Sequence, residues 1–178
     1  MNGLHIRDAR PGDRNAIETV TLAAYQQYAA LMPAYWEGYR QNILATLADI
    51  QTAEQIVAEK EATIVGTVLL YPAGTAIDTP TGAPVRLTSP EVRLLAVDPA
   101  ARGRGIGAAL MHECTRRARA SGARVLTLHT ADIMQAAIRL YERLGFQRAA
   151  ELDFQPAPGA TLQGYRLRLE ETPELHLR

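Results

Sequence analysis

The strongest constraint on the fold is a glycine-rich turn between an apolar run and a helix pattern, in the sequence EVRLLAVDPAARGRGIG at residues 91–107. The run Val92–Val97 predicts a strand, and an amphipathic helix pattern begins after the last glycine. A helix N-terminus presents unpaired N–H groups and a partial positive charge, and glycine lets the backbone approach a ligand closely. Arg102 and Arg104 add cationic donors, so this stretch is typical of a site for a phosphate-bearing ligand.

The chain as a whole has the composition of one globular unit. With 178 residues it is long enough for a sizeable core, and we predict a single domain over residues 1–178 with a flexible polar tail at 171–178. The net charge of zero argues against non-specific nucleic-acid binding as the main role. The N-terminus has no basic region before an apolar run, and no apolar stretch approaches about 18 residues, so we expect neither a signal peptide nor a membrane span.

Cysteine and histidine usage adds weaker expectations. Cys114 is the only cysteine, so no intramolecular disulfide can form, which fits a reducing compartment and favours a cytoplasmic location. The four histidines lie far apart, and no His/Cys cluster has the spacing of metal ligands, so we expect no metal site. The sequence leaves the oligomeric state open, with a homodimer among the alternatives.

Hydrophobic periodicity and turn signals predict elements in the order strand, two helices, three strands, helix, strand, helix and two strands. This order indicates an α/β or α+β class with a mixed sheet, in which the two strands of the unit around residues 92–129 run parallel. We expect helices at 14–30, 34–47, directly after 107, and 133–144, and strands at 4–6, 55–59, 63–71, 92–97, 124–129, 146–154 and 165–169.

The predicted helices carry apolar residues that we expect to face the core, which in the second helix are Ile43, Leu44 and Leu47. Cys114 belongs to such a stripe, so we interpret it as a core residue rather than a reactive thiol, and His112 as a surface residue. The stripes are Ile17, Val20, Ala24 and Tyr28 in the first helix, Ile106, Leu110, Cys114 and Ala118 in the third, and Ile133, Ala137, Leu140 and Leu144 in the fourth.

Three phosphate-binding patterns compete for the glycine-rich turn. A P-loop requires a lysine and a hydroxyl residue, which the turn lacks. A dinucleotide fingerprint requires an acidic residue at the end of the next strand, which here ends in His129-Thr130. The third pattern, (Q/R)-x-x-G-x-(G/A), is matched by residues 102–107, with LAVDP before it and LYERLGF at 140–146 downstream.

This combination resembles the GNAT N-acetyltransferase superfamily, closely over residues 91–146 and in strand order over nearly the whole chain. The resemblance implies a mixed, mostly antiparallel sheet of about six or seven strands with splayed central parallel strands, flanked by about four helices. It also implies acetyl-CoA as co-substrate, with the pyrophosphate on the N–H groups of Gly103–Ala108 and the pantetheine arm along Leu95–Val97. The residues that it places against acetyl-CoA are Leu95, Ala96, Val97, Arg102, Gly103, Arg104, Gly105, Ile106, Gly107 and Ala108.

The resemblance also implies catalytic roles. Tyr141 would be the acid that protonates the leaving thiolate, since tyrosine keeps its proton at neutral pH; alternatively it contacts CoA without proton transfer. Glu91 matches a position at which some members carry a glutamate base, acting directly or through a water. The alternative for Glu91 is ion pairing with Arg93 or another arginine. The oxyanion donor would be a strand amide, that of Val97.

One position departs from the family pattern. Many members carry an asparagine that touches CoA seven residues before the tyrosine, where this chain has Met134. Methionine cannot donate that hydrogen bond, so the contact is lost or replaced, and polar residues at 129–132 lie nearby. Among them, His129 stands at a strand end, which favours a structural role over a catalytic one.

The acceptor is the least determined part of the function. We predict acetyl transfer to a primary amine of a small molecule by direct attack in a ternary complex. The alternatives are a protein or peptide acetyltransferase and a non-catalytic acyl-CoA sensor. Residues 25–39 hold half of the aromatic residues, which either pack in the core or form a wall of the acceptor pocket. The segment Pro72–Pro90 is either a functional loop or a decorated hairpin connection.

Overall fold

A computed structural model describes residues 3–50, 52–77, 84–157 and 160–169 of the chain. The predicted tail at 171–178 lies outside these residues. The α-helices within them are α1 (Arg14–Tyr25), α2 (Trp36–Ala48), α3 (Ile106–Ala120) and α4 (Gln135–Arg143). The strands are β1 (Leu4–Asp8), β2 (Glu54–Lys60), β3 (Thr63–Tyr71), β4 (Ala76–Ile77), β5 (Val85–Arg86), β6 (Glu91–Val97), β7 (Val125–Thr130), β8 (Gln147–Arg148), β9 (Phe154–Ala157) and β10 (Ala160–Arg168).

The main sheet is mixed and mostly antiparallel, as predicted. Its strands follow the order β1-β2-β3-β6-β7-β10-β8, and β9 pairs with β10 outside this path. Every pair of strands in it is antiparallel except β6 and β7, which run parallel and are connected in the chain by α3. Strands β4 and β5 form a separate hairpin, so the predicted loop at 72–90 contains short regular structure.

Strands β6 and β7 separate soon after they begin. Their ladder consists of two Cα pairs, Glu91 with Thr127 and Val92 with Leu128. On its other side β6 remains paired with β3, but the register shifts around Leu94, which has a φ of 48°. A non-glycine residue in the left-handed region marks a bulge, and a bulge bends its strand. The later half of β6 is therefore turned away from β7, and the sheet opens at its centre.

Helices α3 and α4 cover one face of the sheet. Cys114 is fully buried there, and burial raises the pKa of its thiol to about 12, as expected for an inert core cysteine. The exposed position of His112 also matches the prediction. The whole predicted stripe of α3 is buried in this core, which contains Ile106, Leu110, Cys114 and Ala118 of α3, Ile138 and Tyr141 of α4, and Val68, Leu70, Val92, Leu126 and Leu128 of the sheet.

Helices α1 and α2 cover the opposite face. Ile17 and Val20 of α1 pack against Val57 and Ile64 of the sheet, with Leu47 of α2 at the edge of the cluster. All four residues of the predicted α1 stripe are buried. Because side chains alternate along a strand, this face also receives the sheet residues Thr67, Leu69, Tyr71, Glu91, Arg93, Thr127 and His129.

The C-terminal third differs from the prediction in two ways. The buried residues of α4 are Ile138 and Tyr141, whereas Ala137, Leu140 and Leu144 are only half-buried and line a cleft. The predicted strand at 146–154 is instead β8, a 3-10 turn at Ala150–Leu152 and the start of β9.

The last strand also begins earlier than predicted, because Gly164 lies inside β10 rather than at its start. A Cβ at Gly164 would overlap Leu152, and the Gly164 N–H donates to Asp153 at 2.9 Å. Glycine is thus required there by the close approach of the 3-10 turn, not by a chain reversal.

Candidate active site

The opening between β6 and β7 leads into a large continuous cleft. Its volume is about 1160 Å³, and its walls come from both helical layers, the β4–β5 hairpin, the glycine-rich turn and β9. A cleft of this size accepts a ligand larger than a typical drug-sized molecule, or two ligands side by side. The two ends of the cleft differ in chemistry.

At one end, the glycine-rich turn has the backbone of an anion cradle. Gly103 and Gly105 have φ values of 74° and 75°, and Gly105 is the N-cap of α3. A Cβ at Gly103 would meet nothing within 4 Å, so the space beside the turn is open. The first N–H groups of α3 have no intrahelical partner, and the helix dipole adds positive potential. Together these features suit a phosphate group.

Most but not all of the predicted coenzyme-binding residues line the cleft. Arg102 lines the cleft, but its guanidinium turns back to α1, donating to the Ala24 carbonyl at 3.0 Å and to Gln27 Oε1 at 3.3 Å. Arg104 is exposed, and Ala96 is buried, away from the cleft surface. The seven other predicted residues line the cleft: Leu95, Val97, Gly103, Gly105, Ile106, Gly107 and Ala108.

Gly107 explains how α3 and α4 come together behind the cradle. A Cβ at this position would lie 3.1 Å from Leu140 Cδ2 and 3.7 Å from Val97 Cγ2. Glycine here lets α4 approach both α3 and the splayed end of β6. The close packing also brings the downstream motif of α4 next to the glycine-rich turn.

Tyr141 of α4 reaches the cleft from the core side of the opening. It is 7% exposed, its ring lies 6.0 Å from that of Phe146, and it lines the cleft. Burial raises the pKa of its hydroxyl well above the ordinary value, and neighbouring Tyr28 and Tyr39 raise it further. Tyr141 therefore holds a proton throughout the neutral range, as a proton donor must.

Tyrosines from α1, from the 3-10 turn Gln26–Tyr28 that follows it and from α2 form the opposite wall. The ring of Tyr25 lies 6.0 Å from those of both Tyr28 and Tyr39, and all three residues line the cleft. Burial raises the pKa of each, so they are neutral hydroxyl groups at neutral pH. Of the predicted aromatic group, these three line the cleft, whereas Tyr35 is 58% exposed.

Glu91 lies at the closed end of the opening and is held on both carboxylate oxygens. Arg93 Nε donates to Oε1 at 2.6 Å, and His129 Nδ1 lies 3.3 Å from Oε2. Burial alone would raise the pKa of Glu91, but His129 and Arg93 outweigh it and the net pKa is lowered. The carboxylate is thus ionised at neutral pH, and the pairing with Arg93 is the alternative that the sequence had left open.

His129 bridges Glu91 to the segment before β9. Its Nε2 lies 2.8 Å from the Leu152 carbonyl, which only accepts, so Nε2 carries a proton. Its buried Nδ1 faces Glu91 as an ion pair without the alignment of a hydrogen bond. Burial alone would lower the pKa of His129, but Glu91 and Leu152 reverse this and the net pKa is raised. Two acceptors facing the two nitrogens favour the imidazolium form.

This bridge predicts a pH-dependent stability. The raised pKa of His129 gives stabilisation that is complete below pH 6.5 and is lost as the pH rises through the folded-state pKa. The lowered pKa of Glu91 gives stabilisation that is complete above pH 4.5 and is lost at lower pH. We expect His129→Gln to lower the free energy of unfolding by about 1–2 kcal/mol near pH 6 and by less near pH 9, measured by urea titration.

The control for this prediction is His112→Gln, because His112 is an exposed histidine on α3. It should leave the free energy of unfolding within about 0.5 kcal/mol of wild type at both pH values. If His129→Gln costs the same stability at the two pH values, the histidine is packed there as a neutral group.

The family model described as the acetyltransferase (GNAT) family matches residues 21–146. The chain belongs to the GNAT acetyltransferase family. It is 32% identical over 158 residues to a mycothiol acetyltransferase of Sanguibacter keddieii, covering 87% of this chain and 47% of that protein. It is 37% identical over 98 residues to human N-acetyltransferase 8B, covering 55% of this chain and 40% of that protein. The chain thus spans less than half the length of these two curated relatives.

Solved GNAT structures share the fold. A GNAT acetyltransferase of Staphylococcus aureus Mu50 superposes with a TM-score of 0.69 at 16% identity, covering 94% of this chain and all of that one. A Brucella melitensis GNAT acetyltransferase in complex with acetyl-CoA superposes with a TM-score of 0.60 at 24% identity, covering 96% and 91% of the two chains. Within the described residues, no helix is long and apolar enough to cross a membrane.

Some contacts within this GNAT cleft were not determined by the sequence. His129 meets Glu91 because of the parallel register of β6 and β7, which a single sequence does not reveal, whereas Arg93 lies two residues from Glu91 on the same strand. The β4–β5 hairpin supplies part of the wall through Ile77, Val85 and neighbouring residues up to 89, and residues 78–83 lie outside the described part. Met134, which the sequence had singled out, is buried at the N-cap of α4 and lines the cleft.

Proposed function

We propose that this protein transfers the acetyl group of acetyl-CoA to a primary amine of a small molecule, by direct attack in a ternary complex. The observation that carries the proposal is the single cleft that joins the glycine cradle to the opening between β6 and β7, with Tyr141 on its wall. Membership of the GNAT family and the acetyl-CoA complex of the Brucella melitensis neighbour support it.

The residues present fit acetyl-CoA. The N–H groups of Gly103–Ala108 would hold the pyrophosphate, since the turn has positive φ values and open space beside it. The edge of β6 beyond Val92 has no β7 partner, so the backbone of Leu95–Val97 would pair with the two amides of pantetheine. The Arg102 guanidinium is engaged by α1, so its contribution would be to fix the turn rather than to contact phosphate.

The acetyl transfer requires two proton transfers, one from the amine and one to the thiolate. The acceptor nitrogen bonds to the acetyl carbon, the carbon–sulfur bond breaks, the amine loses a proton and the thiolate gains one. We assign the proton donation to Tyr141, whose raised pKa keeps it protonated. We assign the removal of the amine proton to Glu91 acting through a water, because both of its oxygens already have protein partners. The Val97 amide would stabilise the oxyanion.

The walls of the cleft favour a small acceptor over a protein. The part of the cleft around Glu91, here called the acceptor half, is lined by Tyr25, Tyr28 and Tyr39, the β4–β5 hairpin and the sheet face that carries Glu91. A concave, mostly apolar pocket with a few polar groups is typical of small-molecule sites. A protein substrate would instead present an extended chain to an open groove.

The test has two parts that separate the alternatives. Calorimetry measures the affinity for acetyl-CoA, and CoA release is followed with amino acids, polyamines, aminoglycosides and peptide N-termini, with mass spectrometry of the products. Binding with turnover of a small amine supports the proposal. Turnover of peptides alone indicates a protein acetyltransferase, and binding without any turnover indicates an acyl-CoA sensor. Absence of acetyl-CoA binding rejects the proposal.

Glu91→Gln tests the assignment of the base. We expect its rate to fall most at low pH, where the amine is protonated, and to approach the wild-type rate as the pH nears the pKa of the amine. The fall should reach about 100-fold at the acid end of the kcat/KM profile. A loss by the same factor at every pH would assign Glu91 to the support of Arg93 and His129.

A further inference from the structure

Arg93 is a charged residue of the acceptor half. Its guanidinium is held in place by its neighbours, but some of its N–H donors have no partner among the described residues. It lies on β6, on the sheet face that α1 and α2 cover, and lines the cleft with its side chain 30% exposed. Its Nε donates to Glu91 Oε1 at 2.6 Å, and its guanidinium carbon lies 5.4 Å from the centroid of the Tyr71 ring. A carboxylate on one edge and an aromatic face below hold the guanidinium in one orientation.

The two terminal nitrogens of this guanidinium are available for a ligand. Across residues 3–50, 52–77, 84–157 and 160–169, the hydrogen bond of Arg93 is the one from Nε to Glu91. In this part of the chain, the buried side-chain polar atoms without a partner are Thr67 Oγ1 and His129 Nδ1. Nη1 and Nη2 of Arg93 are therefore not buried, and they reach solvent in the cleft. A planar pair of N–H donors matches the two oxygens of a carboxylate.

The charges around Arg93 favour an anion over a second cation. Both described acidic side chains that line this half are neutralised, Glu91 by Arg93 and His129, and Glu151 by Arg166. Another guanidinium, that of Arg86, lines the same half and donates one hydrogen bond to the Gly74 carbonyl. An acceptor with a second ammonium group would meet no unpaired carboxylate among these residues, whereas a carboxylate would meet Arg93.

We propose that the acceptor is an amine that carries a carboxylate, such as an α-amino acid, and that Arg93 binds this carboxylate through Nη1 and Nη2. The inference rests on the acetyltransferase function proposed above and names the substrate class of that site. The tyrosine wall of the acceptor half then faces the side chain of the amino acid and favours apolar or aromatic ones. Glu91 anchors Arg93 and so links carboxylate recognition to the proposed base.

Matched acceptors test the inference. L-Phenylalanine, L-leucine and L-methionine are each compared with their carboxamides and decarboxylated amines, with kcat/KM measured by CoA release. The amine of a carboxamide is less basic than that of the free acid, so intrinsic reactivity favours the carboxamide. We nevertheless expect the free acid to react about 10- to 100-fold better, because a desolvated guanidinium–carboxylate pair has this effect on binding.

Variants locate the effect at Arg93. Arg93→Gln should lower the acid-to-carboxamide ratio of kcat/KM at least about tenfold, mainly through KM for the acid, and Arg93→Lys should give an intermediate ratio. A residue that only supports the fold would lower both rates together and leave the ratio unchanged. The control is Arg40→Gln, which removes a partly exposed arginine of α2 paired with Glu37, and it should keep the wild-type ratio.

The outcomes separate this inference from the proposed function. If acids and carboxamides react equally well, or if Arg93→Gln keeps the wild-type ratio, the inference is wrong while the acetyltransferase function stands. If acetyl-CoA binds and other amines react but none of the amino acids does, the substrate class is also wrong. If acetyl-CoA does not bind, both proposals fall.

Discussion

Tyr141→Phe is expected to lower kcat by about 10²- to 10⁴-fold, the range that general-acid catalysis contributes, while the Kd of acetyl-CoA changes by less than about threefold. The substitution removes one oxygen and keeps the ring, so the packing against Phe146 is retained. Without the hydroxyl, the thiolate must leave unprotonated or take its proton from water. The measurements are steady-state kcat with the best acceptor of the panel and calorimetry with acetyl-CoA.

The matched control for this substitution is Tyr165→Phe. Tyr165 is a buried tyrosine of β10 that packs under Arg148, outside the cleft lining. Its substitution tests the general cost of removing a tyrosine hydroxyl from this fold, and kcat should stay within about twofold of wild type. If Tyr141→Phe binds acetyl-CoA more weakly but turns over at the wild-type rate, its hydroxyl serves binding alone.

The glycine-rich turn could be predicted from the sequence because its conformation is local. Positive φ values at Gly103 and Gly105 and the start of α3 depend on residues that are adjacent in the chain. The same holds for the α3 stripe, since one face of that helix packs on the sheet along its whole length. Strand order was predictable through the family resemblance, and it is confirmed by the mostly antiparallel sheet.

The face of α4 could not be read from periodicity, and the reason is the cleft itself. Ile138 faces the core, Ala137 and Leu140 line the cleft and also pack against the core, and Tyr141 is buried yet lines the cleft, so the apolar surface of this helix is wider than one stripe. A hydrophobic pattern records which residues avoid water and does not distinguish burial by protein from burial by a ligand. The predicted stripe therefore followed the cleft-lining residues Ala137, Leu140 and Leu144, whereas its first residue, Ile133, lies before the helix and outside the cleft lining.

The contacts of Glu91 were unpredictable for a different reason. Arg93 is two residues away and on the same side of β6, so this pairing was foreseen as one alternative. His129 lies 38 residues further along the chain and reaches Glu91 only through the register of β6 and β7. Register between strands joined by a helix depends on packing across the whole unit, which local spacing does not encode.

The second large effect is expected at the cradle. Gly105→Trp should weaken acetyl-CoA binding at least about 100-fold in calorimetry, since several charge-assisted hydrogen bonds from the turn to the pyrophosphate would be lost together. Gly105 lines the cleft as the N-cap of α3, so an indole there occupies the space beside the first N–H groups of the helix. Its φ of 75° also adds strain of about 1–2 kcal/mol for a non-glycine residue.

Gly122→Trp separates the blocked cradle from this strain. Gly122 has a φ of 78°, its Cβ would meet nothing within 4 Å, and it follows the opposite end of α3, away from the cleft. Both variants should therefore lose similar stability in urea titrations, yet only Gly105→Trp should lose acetyl-CoA affinity. Equal affinities in the two variants would mean that the anion is held elsewhere. The backbone N–H groups of the turn would then lose their assigned role. Arg102 would not take that role over, because its guanidinium already donates to the Ala24 carbonyl of α1.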